Sequence, residues 1–377
     1  MTDTKFSSNR FDIHVKEVKY QKSTGLNEHY LSLLFNGSDF NVKLMNTLRR
    51  VCLNYIPVYA YAPELINIIE NTSVAFNNDM MKLDLSLLPV FKVDPGIYNL
   101  DEQYWYDVNY ADFTRKKHSD EKNVEFYINA NNNTNNYIRI TTNDAHITVD
   151  GKDIEMYDKQ YPILLIELKP NQKFSCHMKA VLGIAERSEN SAIWKSSFNA
   201  YYDEVKQNEF LFTVYGNNMF SERELLKRAC RFVILKMEKL KSKIEEQIKK
   251  KEIVLEKKMI FIFENEDFTI GEPINYELQN HKDISFSGLA KSDQLVKSVT
   301  ITAVCSENIL SPVDALLSSF EIVKDKFHKI GFLLTELYDD TKNIITETSS
   351  NTSSDRKKVT KSKIKKKVKA KSKHRSK

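Results

Sequence analysis

Arg49 and Arg50 are the residues whose type and placement best suit chemistry with a partner. A guanidinium is planar, permanently charged and able to make bidentate contacts with carboxylates or backbone carbonyls, which is docking chemistry. The same pair also suits a plain solvated helix face. Motifs for catalysis are missing: there is no Gly-x-Gly-x-x-Gly, phosphate loop, His-Glu-x-x-His or Gly-x-Ser-x-Gly. No Asp-x-Asp-x-Asp cluster suited to holding a catalytic magnesium ion occurs. The eight histidines are scattered, and His177 reads as structural. Cys52, Cys176, Cys230 and Cys305 include no Cys-x-x-Cys pair, so no metal or other cofactor is expected and all four read as unpaired thiols of a reducing compartment.

Charge is unevenly placed. Residues 351–377 hold 13 Lys or Arg and one Asp, and the other 350 residues carry 43 basic and 50 acidic groups. The tail is strongly basic and the body mildly acidic. Lys365, Lys366 and Lys367 with their neighbours suit phosphate binding through counterion release, a localisation signal, or solubility alone. From Thr346 onward Ser, Thr, Asn and Lys dominate, a composition that predicts disorder. The chain has neither a signal-peptide pattern nor an apolar run of membrane-spanning length, so a soluble intracellular protein is expected.

The arginine pair must be positioned by a helix. Leu31 to Phe35 reads as an apolar strand and Asn36 to Asp39 as a turn. From Asn41, an N-cap, Leu44, Met45, Leu48, Val51, Cys52 and Tyr55 mark one apolar face, and Pro57 stops the helix. Lys43, Asn46, Thr47, Arg50 and Asn54 lie on the other. Shifted by 228 residues the stretch lines up again without a gap, Phe35 on Phe263, Asp39 on Asp267 and Ile56 on Ile284. At a shift of 90, Glu209 to Ile244 falls on Val299 to Leu334, also without a gap. Each of those begins with a strand, then starts a helix at a serine. Ser221 with Glu224 reads as a capping box, and Ser311 is followed by Pro312.

The apolar stripes of these two helices step together. Leu226, Cys230, Val233, Met237, Leu240 and Ile244 match Leu316, Phe320, Val323, Phe327, Ile330 and Leu334. Two such stripes in register predict duplicated units packed on each other. The two shifts differ by 138, so the first unit carries an insertion of that size, mostly between Val90 and Val205. Phe11, Ile13 and Val15, then Val18 and Tyr20, alternate as in a strand. Asn77 to Leu88 is apolar but reads equally as helix or strand. In the insertion, Asn129 to Asn136 reads as a loop, and short strands are expected around Ile138, Ile147–Val149, Ile163–Leu168 and Phe174–Ala180.

These residues resemble the alpha-like assembly subunits of multisubunit DNA-directed RNA polymerases: bacterial alpha, the archaeal D and L pair, and the eukaryotic third- and eleventh-subunit pair. Asn46-Thr47-Leu48-Arg49-Arg50 is similar to the family's Asn-x-Leu-Arg-Arg helix, and Ile56-Pro57 to the Val-Pro after it. Asn71-Thr72-Ser73, Leu87-Leu88-Pro89-Val90, Ala192-Ile193-Trp194 and Phe212-Thr213-Val214-Tyr215 resemble later motifs of the larger partner. Glu266-Asp267-Phe268-Thr269-Ile270-Gly271-Glu272 and Ile284 to Gly288 resemble the smaller partner. A natural fusion of the two, as in large DNA viruses, is the nearest likeness. Departures occur where a family arginine is replaced by Asp84, its glutamate by Asp79, and a His-Pro falls near Asp293-Gln294.

The resemblance implies an α+β fold of two alpha-subunit-like dimerisation units paired in cis. The expected divisions are 1–90 and 205–250 for the first unit and its joint, 91–204 for a mostly β inserted domain, 251–345 for the second unit, and 346–377 for a disordered basic tail. It implies a non-catalytic subunit that docks the two large catalytic polymerase subunits alongside small assembly subunits, in host cytoplasm or nucleus and in the virion. Asn46, Arg49 and Arg50, with Asp79, would meet the beta-type subunit. Leu226, Cys230, Val233, Met237, Leu240, Leu316, Phe320, Val323, Phe327 and Ile330 would form the internal pairing, so no homodimer is expected. The alternative is a stand-alone nucleic-acid-binding protein acting through its tail.

Overall fold

The computed structural model describes residues 10–22, 28–106, 108–112, 115–186, 191–250, 255–291, 296–307 and 309–338. The basic tail, with Lys365, Lys366 and Lys367, lies outside the described residues, as do Asp293 and Gln294. The chain divides into two units, Met1–Gly331 and Phe332–Lys377. The described residues of the second, 332–338, are helical.

The first unit opens with β1 (His14–Gln21), β2 (Tyr30–Asn36), α1 (Val42–Asn54), β3 (Val58–Asn71) and α2 (Asn78–Ser86). β4 (Val124–Asn131), β5 (Ile138–Thr141), β6 (His146–Val149), β7 (Lys152–Asp153), β8 (Leu164–Leu168) and β9 (Lys173–Gly183) follow. Next come β10 (Asn199–Lys206), β11 (Glu209–Tyr215), α3 (Glu222–Lys249), β12 (Lys258–Glu264), α4 (Phe268–Gln279), β13 (Ile284–Ala290) and β14 (Ser298–Cys305). A last helix, α5, covers 313–331 in this unit. The fold is mixed α+β with antiparallel sheets, ordered β1-β2-β11-β10, β12-β14-β13, β3-β9-β4-β6-β7 and β5-β8.

Local sequence explains most elements. Asn41 caps α1, its side chain accepting from the Lys43 and Leu44 amides at 3.0 and 3.1 Å. Leu44, Met45, Leu48, Val51 and Cys52 are all buried. Along β1 Tyr20 returns to the face of Val15 because the pairing with β2 shifts between Glu17 and Lys19; Val18 is the extra residue of that bulge and, against the expected alternation, is 55% exposed. Asn77 to Leu88 resolves as helix, capped by Asn77 through the Met80 amide at 2.8 Å. Asn129 to Asn131 belong to β4, so the asparagine-rich loop starts only at Asn132. The capping box at α3 is only half formed: Ser221 accepts from the Glu224 amide, but the Glu224 carboxylate turns to Arg228 Nε at 2.9 Å. The arginine offers it a charge-assisted bond.

The repeat needs one correction. β2 and β12, 228 residues apart, bury Leu31, Leu33 and Phe35 in one case and Met259, Phe261 and Phe263 in the other. Phe35 pairs with Phe210, and Phe263 pairs with Val299, so the partner strands are offset by 89 residues, not 90. A strand's faces alternate with period two, and an offset of 90 would bring Thr300 to the buried place that Val299 holds. The helices keep the offset of 90, with Leu226 and Leu316 both fully buried. One extra residue therefore separates β14 from α5. The strands after the short helices also part company: β3 runs along β9, while β13 pairs with β14, the place that β10 holds beside β11. β3 precedes residue 91, so the five-stranded sheet spans the expected start of the insertion.

α3 and α5 pack antiparallel. A Cβ on Gly331 would lie 3.6 Å from Cys230 Cβ, and Lys241 Nζ lies 2.8 Å from Glu321. Numbers rise along one helix as they fall along the other. Exchanging the helices by the 90-residue offset carries the first contact to within one residue of the second, as a local two-fold would. Leu226, Cys230, Val233, Met237, Leu240, Leu316, Phe320, Val323, Phe327 and Ile330 are all buried. Phe320 also meets Phe263 edge-on at 6.2 Å.

Candidate partner-docking site

α1 carries its buried stripe inward and a polar face outward. On that face the Nε and Nη2 of Arg49 both donate to Asn46 Oδ1, at 3.1 and 2.9 Å. This fork fixes the guanidinium plane along the helix, half-buried beside Arg50 and Tyr202. Burial, then the Arg50 charge, lower the Arg49 pKa, yet the group stays a cation at neutral pH. Held this way, the Arg49 guanidinium has the fixed planar geometry that suits a carboxylate or carbonyl.

Arg50 is used differently. Its Nη2 reaches Asp267 Oδ2 at 2.5 Å, and Asp267 in turn caps α4 by accepting from the Thr269 amide at 2.7 Å. Thr47 Oγ1 donates to the Thr269 carbonyl at 2.7 Å, and Lys43 pairs with Glu272 at 2.8 Å. One flank of the polar face is therefore spent on holding α1 against α4. Asn46 and Arg49, both half-buried, are the part not tied to α4.

Asp79 stands exposed in the first turn of α2, and Asp84 is exposed farther along. Sequence reasoning missed what surrounds them. Met80, Leu83 and Leu87 are 49%, 57% and 59% exposed, and their spacing of three and four places them on one face. Met81, Leu85 and Leu88 are buried on the other. Two opposed apolar stripes read at first as an untyped apolar run; resolving the three-and-four steps of each would have found the outward one. An exposed apolar face beside isolated carboxylates is a surface suited to protein contact.

Two buried lysines also escaped the sequence reading, because each sits inside a stripe that looks apolar. Lys236 of α3 meets Glu266 at 2.6 Å and Glu102 at 3.1 Å. Lys326 of α5, 90 residues later, meets Glu277 at 2.8 Å. Burial opposes the charge on Lys236, but the two carboxylates outweigh it and raise its pKa. Glu266 and Glu277 lie at the two ends of α4, so this helix is clamped to both long helices. Buried ion pairs of this kind fix geometry more than they add stability.

Cys52, Cys176, Cys230 and Cys305 are all free and buried. Among the described residues no group of three His, Cys, Asp or Glu could hold a metal ion, and no helix is long and apolar enough to cross a membrane. His177 lies in β9, stacked on Tyr127 with ring centroids 4.3 Å apart.

No family model matches the chain. It is 24% identical over 332 residues, 82% of its own length and 92% of the relative's, to a protein named as a DNA directed RNA polymerase subunit of Acanthamoeba polyphaga mimivirus.

Proposed function

We propose, from this similarity over 82% of the chain to a polymerase subunit of a large DNA virus, that the protein is a subunit of a viral multisubunit DNA-directed RNA polymerase, and that its role is assembly. It is a non-catalytic subunit in this reading, an intramolecular alpha-like heterodimer on which the two large catalytic subunits come together. The polymerase assignment rests on the relative. The observation that carries the assembly role is the antiparallel packing of α3 on α5, with contacts that exchange under the 90-residue offset. It supports two related halves joined in one polypeptide, the first interrupted by the five-stranded sheet. Joining them replaces a bimolecular encounter by an intramolecular one. The complex would act on DNA in host cytoplasm or nucleus and travel in the virion.

Asn46 and Arg49 are the residues assigned to the beta-type subunit, with Asp79 on the exposed face of α2 as a further contact. Arg50 contributes indirectly, by fixing α1 through Asp267. Co-expression with the two large subunits tests this. Arg49→Ala should leave the melting temperature unchanged and weaken capture of the beta-type subunit by roughly tenfold, the scale of an interface arginine. Capture at wild-type yield would remove the assignment.

The segregated charge of the tail favours a second, auxiliary role in holding nucleic acid. Removing residues 351–377 should reduce DNA retention at low salt and leave subunit assembly intact. Unchanged retention would make the tail a bystander.

A further inference from the structure

The first sheet covers one edge of β2 with β1. β12 holds the place of β2 in the second sheet, yet among the described residues it pairs only with β14. Its backbone shows which groups are left over. The Cys305 amide donates to the Lys257 carbonyl at 2.9 Å, and the Asn265 amide donates to the Lys297 carbonyl at 2.7 Å. Odd-numbered residues therefore turn their backbone groups to β14, and Lys258, Ile260, Ile262 and Glu264 turn theirs to the open edge. Ile260 and Ile262 are 59% and 63% exposed. A groove of about 380 Å³ follows the strand, walled by Leu240 and Ile244 of α3. The other edge of this sheet, β13, is blunted by a register break between Ile284 and Phe286. β12 carries neither bulge nor proline, so it is the edge fit to pair.

We propose that β12 takes the β12 strand of a second copy of this chain, antiparallel, about a two-fold axis at Phe261. Lys258-Met259-Ile260-Phe261-Ile262-Phe263-Glu264 is its own complement in that register. Lys258 then faces Glu264 at both ends of the contact, and Ile260 faces Ile262 on the exposed surface. On the buried side Met259 faces Phe263. Glu264 lies 3.8 Å from Lys243 and its side chain stays 74% exposed, so it is free to turn to the second copy. Opposite charges and β-branched residues placed directly across an antiparallel pair favour that register. Two three-stranded sheets become one of six strands, and because the contact is isologous it closes at two copies. This departs from the expectation of no homodimer, which followed from the two halves satisfying each other within the chain. This contact uses an edge that the fusion leaves open.

Sedimentation of the full chain across a dilution series tests the proposal. The expected mass is twice the 43.9 kDa of one chain at high concentration, falling to one on dilution. Ile260→Lys with Ile262→Lys should give a monomer of unchanged circular dichroism. Lys258→Glu should weaken dimerisation by roughly tenfold or more, since it sets like charges opposite each other twice. Adding Glu264→Lys to Lys258→Glu should restore it. A wild-type chain that stays monomeric, a dimer that survives both isoleucine substitutions, or open-ended oligomers would each overturn the proposal. Capture of the large subunits is read separately, so a monomer that still captures them sinks the dimer and leaves the assembly role standing.

Discussion

Gly183 shows how much a single atom decides in this fold. It ends β9 against Trp194, and an added Cβ would lie 2.5 Å from the indole Nε1. The ring cannot retreat: its Nε1 donates to the Val181 carbonyl at 3.3 Å and its face stacks on Tyr110 at 5.4 Å. Gly183→Ala should therefore cost about 1–3 kcal/mol, the scale of overpacking a filled core, measured as a lower denaturant midpoint at unchanged slope. The arginine pair makes a similar point. Arg49 and Arg50 are adjacent in sequence and chemically identical, yet one is forked on Asn46 and the other is tied to Asp267, 217 residues away. Only the approach of α4 separates their roles.

At the scale of elements, the loop around Asp101 and Glu102 is fastened to α3. Lys239 reaches Asp101 at 2.9 Å and Glu102 at 2.8 Å, while Lys236 holds Glu102 from the buried side. Burial works against the Glu102 carboxylate, but Lys236 and Lys239 outweigh it and lower its pKa to about 2. A folded value below the ordinary 4.5 means stability that is present above pH 4.5 and lost as the pH falls through about 2. The shift corresponds to at most about 3 kcal/mol. In chemical denaturation, the stability difference between the wild type and Glu102→Gln should shrink steadily over that window; a constant difference would mean that Glu102 is not held by charge. The helices themselves were legible where one stripe dominated. α1 with its Asn41 cap is the clear case, and α2 was not, because two apolar stripes on opposite faces blur the period.

Across the molecule, the paired long helices should hold the two halves together without the peptide that joins them. A protease site placed between Lys250 and Leu255 tests this. The cut fragments should co-elute under native conditions and separate only in denaturant. Fragments that part in buffer would show that α3 and α5 do not carry the association. Sequence periodicity alone determined the stripes of those helices and the strands before them, because burial of one face leaves a period in the sequence. It also located the charge split between body and tail, which is a matter of counting. The tertiary structure alone decided the one-residue slip at β14, the antiparallel sense of the helix pair, the buried lysines at the ends of α4, and which arginine is tied to Asp267. Those outcomes depend on partners far apart in the chain, and a linear pattern carries no record of which distant side chain completes a contact.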